Sequence, residues 1–227
     1  MANPPDAPAI RDAATIIVLR RGDVPSVLMG QRGAAAAFMP SKFVFPGGAV
    51  DPVDHTVPVT LPDDQARALS ADSVLPPAAL AAAAIRELWE ETGQIIGTPG
   101  AWSDPPQGWR GYAATGHVPD AARLRYFFRA VTPQGRPRRF DARFFLADAA
   151  DLRTDPDDFD GAEDELSLLQ WVPLAQARTF DLPFITEVVL AELMAHLADP
   201  DAPLTVPFFR NDDESHLVTR LAGARLI

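Results

Sequence analysis

Three glutamates and one arginine fall within six positions of the stretch AIRELWEETG, Ala84 to Gly93. At about 3.6 residues per turn, Glu87, Glu90 and Glu91 stand at i, i+3 and i+4 and share one helical face. Like charges at that spacing destabilise an isolated helix by roughly 0.2–0.5 kcal/mol per pair. Clustered carboxylates are often only a solvated face. The alternative is a cation that offsets their repulsion. Carboxylate oxygens at about 2.0–2.1 Å suit Mg²⁺, which keeps several waters and takes other ligands from substrate phosphates. Such an ion lowers the pKa of a bound water, bridges diphosphate oxygens and spreads transition-state charge. Upstream, FPGG supplies Gly48. Its carbonyl is a candidate further ligand, because a residue without Cβ lets backbone approach an ion closely.

These residues need a helix and a turn held against each other. PPAALAAAAIRELWEETG is the clearest helix in the chain, with Pro76 and Pro77 suited to its start and Gly93 to its end. AATIIVLRR and SVLMGQR read as strands joined through the turn residues of RGDVPS, a hairpin. FVFPGGAVD reads as a short strand running into a Pro-Gly-Gly turn. Residues 55–76 are rich in Pro and Asp and read as an inserted loop with one weak helical patch, DDQARALSA. Residues 98–122 read as irregular, with a short helix near Asp120. LRYFFRAVTP and RRFDARFFLADA are strands joined by PQGRP, and TDPDDFDGAEDE is an acidic loop. LSLLQWVPLAQA is a strand entering a short helix. FITEVVLAELMAHLA is an amphipathic helix with Ile185, Val188, Val189, Leu190, Leu193 and Met194 on one side. Residues 1–9 read as frayed, and the C-terminal stretch PLTVPFFRNDDESHLVTRLAGARLI takes no assignment. With no repeat and no linker, residues 1–227 form one domain of mixed strands and two main helices, α+β or an α/β/α sandwich with a mixed sheet.

Bulk properties narrow the partners. The net charge of −11 and the pI near 4.7 argue against a general nucleic-acid or anionic-membrane binder, which needs a basic field. An anionic small molecule stays open, because a local metal ion reverses the field. The absence of cysteine removes disulfides, thiolate catalysis and cysteine-based metal sites. No signal-peptide pattern and no run of about 18 apolar residues occurs, so the expected compartment is the cytoplasm. A homodimer is left open. His55, His117, His196 and His216 show no ligand spacing.

Taken with FPGG, the helix resembles the Nudix hydrolase signature G-x5-E-x7-R-E-U-x-E-E-x-G-U, where U is aliphatic. Arg86 to Gly93 match its second half position for position. The final U is Gln94, with Ile95 next. Gly48 reaches Asp54 after five residues, an acid where the family has Glu. Asp54 and Arg86 then have 31 residues between them where the family has seven, an insertion of 24 inside the box. FMPSKFVFPGGAVDPVD and TPQGRPRRFDARFFLA are similar to a split-box group that includes the peroxisomal coenzyme A diphosphatases; with the box, the likeness covers roughly residues 13–178, a span of domain length.

The resemblance implies a Nudix-fold sandwich and a Mg²⁺- or Mn²⁺-dependent diphosphatase acting on a nucleoside diphosphate derivative. Coenzyme A or an acyl-CoA is favoured, with ADP-ribose, NADH or a dinucleotide as the alternative and a non-catalytic binding module as the competing class. It implies Glu87 as ligand or base, Glu90 and Glu91 as main ligands, and Arg86 as the partner that orients a glutamate. A further acid comes from the loop before the Trp-containing strand; of Glu163, Asp164 and Glu165, Glu165 is preferred. Arg32, Lys42, Arg138 and Arg139 are cations that could meet phosphates, though surface or strand-edge placement is simpler for each. Asp54 is a candidate substrate contact, or a plain turn acid. Phe127, Phe128, Phe144 and Phe145 read as core. Trp102, Trp109 and Tyr112 could stack on an adenine, with core packing the simpler expectation.

Overall fold

The computed structural model describes residues 8–71, 73–202, 205–210 and 218–220. Most of the stretch expected to fray lies outside them. Strand β1 (Ile10–Arg20) carries the apolar run TIIVL through the middle of the sheet. Strand side chains alternate between faces. Ile16 and Val18 therefore join one apolar cluster, and Ile17 and Leu19 another. The hairpin return is β2 (Ser26–Arg32), antiparallel to the end of β1. The FPGG stretch forms two short strands, β3 (Phe43–Val44) on β2 and β4 (Gly47–Ala49) on β1. The two glycines are thus strand, and the turn falls on Phe45 and Pro46. β1 pairs with β4 through Ala13 to Thr15 and with β2 through Leu19 and Arg20, so its two partners diverge along its length.

The 55–76 segment is more than a loop. It holds helix α1 (Asp63–Ser70), which buries Leu69 and Gln65. The Gln65 Oε1 accepts the Tyr126 backbone N–H at 2.8 Å, and the Ala71 carbonyl and Ser73 hydroxyl take bonds from the buried Arg129 and Arg143. Those arginines also pair with Asp141, and Arg143 with Asp12. The helix falls on the weak helical patch DDQARALSA read from the sequence.

Helix α2 (Pro77–Thr92) spans the expected residues, and Gly93 ends it at φ 72°, a left-handed conformation that costs glycine nothing. From Leu80 to Ile85 it lies fully buried in the cluster of the Ile16/Val18 face. Residues 97–119 form a ribbon of β5 (Gly97–Pro99) and β6 (His117–Pro119) around helix α3 (Arg110–Ala114), so the short helix sits before Asp120 rather than at it. Trp109 and Tyr112 are fully buried there, with ring centroids 5.2 Å apart, which makes them core.

Strands β7 (Arg125–Val131) and β8 (Arg139–Asp148) pair antiparallel, and β8 runs parallel to β1 from Ile10↔Arg139 to Leu19↔Asp148. A bulge between Tyr126 and Phe128 breaks the alternation and lets Phe127 and Phe128 both join the Ile17/Leu19 cluster. Strand β9 (Leu166–Pro173) pairs with β2. Helix α4 (Phe184–Ala198) buries Thr186, Val189, Leu190 and Leu193 against that second cluster; Met194, expected on the same side, is exposed. Strands β10 (Pro207–Phe209) and β11 (Val218–Arg220) extend the sheet beyond β7, within the stretch left unassigned from sequence. The order β11-β10-β7-β8-β1-β2-β3 is mixed, with α2 on one face and α4 on the other: the expected α/β/α sandwich. Among the described residues no helix is long and apolar enough to cross a membrane.

Candidate active site

The last turns of α2 carry Arg86, Glu87, Glu90 and Glu91 to the place where β2 and β4 diverge from β1. Arg86 is nearly buried, and every donor shown engages an acceptor. Its Nε and Nη2 donate to the two oxygens of Asp54 at 3.0 Å each, Nη2 also to the Ala49 carbonyl at 3.0 Å, and Nη1 to Glu87 Oε1 and Glu90 Oε2 at 2.8 Å each. Burial alone would lower the arginine's pKa; the Asp54 bond and the charges of Glu87, Asp54 and Glu90 outweigh it and hold the guanidinium charged. One arginine thereby fixes two of the glutamates against β4.

Glu91 is differently placed. It is 2% exposed, its Oε2 accepts the Gly47 N–H at 2.7 Å, and its Oε1 has no partner. Burial pushes its carboxyl well above the usual range, and the Glu87 charge adds to the push. Glu87, 8% exposed, is pushed up to about 7 by burial, against the opposing pull of Arg86 and with help from Glu90 and Glu165. Burial raises Glu90 as well. Gly48 lies directly over this pair of strands and helix: a Cβ there would stand 2.5 Å from the Glu87 carboxylate. Glycine at 48 is what admits Glu87 to the site.

The raised carboxyls set a pH dependence whose sign is unusual for acids. Glu87 binds its proton more tightly folded than unfolded, so stability is lost as pH rises from about 4.5 through 7. The displacement corresponds to about 3 kcal/mol from Glu87. The melting temperature in chelator, scanned from pH 5 to 8, should therefore fall, and Glu87→Gln should flatten the fall. A flat wild-type profile would contradict the burial argument.

On the α4 face of the sheet the site opens into a cavity of about 1130 Å³. Glu87, Gly48, Glu165, Arg32 and Lys42 all line it. Glu165 enters from the acidic loop and bonds Arg32 Nη2 at 2.9 Å; Lys42 pairs with Asp181 at 2.5 Å. Arg138 lines the cavity too, whereas Arg139 is buried in the sheet, donating to the Thr132 carbonyl at 3.1 Å. Asp54 is 0% exposed, and both oxygens serve Arg86, one of them also the Asp51 N–H. The acid that follows Gly-Gly is more than a simple turn residue. It is the anchor of the arginine.

Gln94 stands where an aliphatic residue was expected, and it is fully buried. Its Nε2 donates to the Asp155 and Asp158 carbonyls, and its Oε1 accepts from the Thr154 hydroxyl. It pins the acidic loop beside the end of α2, while Ile95 and Ile96 supply the apolar anchor. Sequence reasoning missed Arg11 and Arg136, which also line the cavity. A signal for Arg11 was present: it alternates with Ala13 and Thr15 on one face of β1.

The donor set fits a divalent cation. It has a buried carboxylate oxygen without a partner, a glycine whose missing Cβ clears space beside Glu87, and Glu165 close enough for its charge to reach both Glu87 and Glu91. Among the described residues no three acidic or histidine side chains already converge on one point, so binding an ion requires these carboxylates to draw together.

The chain is 29% identical over 175 residues to nudix hydrolase 7 of Caenorhabditis elegans, a match covering 71% of this chain and 51% of that protein; the chain spans about half the length of that curated relative. A crystal structure of a NUDIX hydrolase from Alicyclobacillus acidocaldarius superposes with a TM-score of 0.62 at 29% identity, over 83% of this chain and 92% of that one. The NUDIX domain family model matches residues 9–193, which hold every glutamate, arginine and glycine of the site, and the chain belongs to that family.

Proposed function

We propose that this protein is a Mg²⁺- or Mn²⁺-dependent hydrolase of the diphosphate linkage in nucleoside diphosphate derivatives, with coenzyme A or an acyl-CoA as favoured substrate. The products are 4′-phosphopantetheine and 3′,5′-ADP. The observation that carries the hydrolase reading is Glu91, a buried carboxylate with one oxygen unpartnered, beside Glu87 and Gly48 at the cavity wall. Such an oxygen is costly unless an ion or a proton meets it. Family members generally use divalent metal ions.

The residues that would hold the ion are Glu87, Glu90, Glu91, Glu165 and the Gly48 carbonyl. When bound, it supplies charge for the diphosphate oxygens and a more acidic water. The chain's own groups do the rest. Arg86 keeps Glu87 and Glu90 in place from below. Glu87, on the cavity wall beside Gly48, is placed to take the proton of the attacking water. Arg32 and Lys42 stand on the cavity wall to meet the phosphates. The coenzyme A reading is supported by the split-box resemblance and by a cavity somewhat larger than ordinary ligand pockets, with apolar as well as cationic walls.

The test is a panel of coenzyme A, acyl-CoAs, ADP-ribose, NADH and diadenosine polyphosphates, with Mg²⁺ and Mn²⁺ and products resolved by mass. Metal-dependent release of 4′-phosphopantetheine is expected. Turnover confined to another compound would keep the hydrolase and discard coenzyme A. No turnover with either metal would leave a binding module.

A further inference from the structure

The cavity has two ends of opposite charge. Glu87 and Glu165 stand at one end. Arg11, Arg136 and Arg138 line the other. Arg32 and Lys42 have carboxylate partners in Glu165 and Asp181, but these three arginines make no ion pair or side-chain hydrogen bond among the described residues. In a chain of net charge −11, these three exposed arginines gather on the wall of one cavity.

Their placement follows from register. Arg11 lies opposite Phe140 on parallel neighbouring strands, and Arg138 stands in the bend just before β8 begins at Arg139. Arg136 follows from the β7–β8 turn. Phe38 packs edge-on against Phe140 with centroids 5.1 Å apart, so the loop before β3 covers this end. Along β1, Arg11 is three residues from Ala14, the partner of Gly48. At about 3.3 Å per residue that is about 10 Å, less the reach of the arginine side chain.

We propose that the substrate carries a second anionic group, a phosphomonoester on the nucleoside ribose, held by Arg11, Arg136 and Arg138. The proposal rests on the diphosphatase reading and narrows its substrate class to nucleotides with a 2′- or 3′-phosphate. The chemistry is a dianion met by guanidinium forks, a charge-assisted geometry that arginine fits better than lysine. The 10 Å separation suits a phosphate on the ribose next to the cleaved diphosphate.

Binding of 3′,5′-ADP, 2′,5′-ADP and AMP to the intact protein, measured by calorimetry at low salt, tests it without turnover. At least one bisphosphate is expected to bind about tenfold or more tightly than AMP, and which isomer wins identifies the ribose position. Arg136→Ala/Arg138→Ala should bring that affinity down toward the AMP value; both residues are exposed in a turn, and an unchanged melting temperature confirms the fold. Equal affinity for all three nucleotides in the wild type, or an advantage that survives in the double variant, overturns the proposal. A paired turnover assay separates the two claims. Equal KM for coenzyme A and 3′-dephospho-coenzyme A, with equal KM for NADPH and NADH, would remove the arginine site and leave the hydrolase. A bisphosphate preference that depends on Arg136 and Arg138 in a protein with no turnover would keep the site and remove the hydrolase.

Discussion

Glu91→Gln is expected to lower kcat by about a hundred- to a thousandfold while leaving the metal-free protein as stable as the wild type, or more so. Glutamine keeps an oxygen for the Gly47 N–H that Glu91 Oε2 now accepts. It removes a charge that burial disfavours and that only an ion would compensate. The same substitution on a solvated face would leave activity near wild type. Turnover of the best substrate in the panel, Mn²⁺ affinity by titration and the melting temperature in chelator together decide it. A variant with normal turnover would take Glu91 out of the ion's ligands. A variant that melts much earlier would make its role structural.

Asp54→Ala should destabilise the protein by about 3–5 kcal/mol, because it strands the buried Arg86 without its two-pronged partner. Arg86 keeps its bonds to Glu87, Glu90 and Ala49, so the guanidinium would turn toward them and pull Glu87 from its place under Gly48. Activity should fall with stability. Urea unfolding gives the first quantity, and kcat on folded protein below the transition gives the second. If Asp54 touched substrate instead, KM would rise with no change in unfolding midpoint. Asp54→Glu is a useful companion: it keeps the charge but sits in a site with 0% exposure, so part of the loss should return only if the arginine can shift to meet it.

The helix of the site was readable because its residues are local. Spacing alone put Glu87, Glu90 and Glu91 on one face, and Gly93 marked the end. The hairpin, β7 and β8 were readable for a similar reason, since alternation and turn residues lie within a few positions. What spacing could not show was which oxygen is satisfied by what. Asp54 became the arginine's anchor through a contact across 32 positions, and Gln94 a clasp for the acidic loop across about 60. α1 was legible only as the weak helical patch DDQARALSA, because eight residues give little periodicity and its burial is supplied by β7 and two arginines far along the chain. β4 escaped because Gly-Gly reads locally as a turn, while its pairing partner, β1, precedes it by some thirty residues.

The parallel pairing of β1 with β8 has a consequence for synthesis and folding. Ile10 and Arg139 become neighbours although roughly 130 residues separate them, so the sheet's centre closes a very long loop. Contacts of that separation slow the search for the native state. Until Arg139–Asp148 has left the ribosome, β1 has only its hairpin with β2 and the short β4 to hold it, and the arginine end of the cavity has no second wall. A nascent chain therefore carries its glutamate helix early and completes its binding chamber late, and a fragment ending before β8 should stay open to proteases however well α2 is formed.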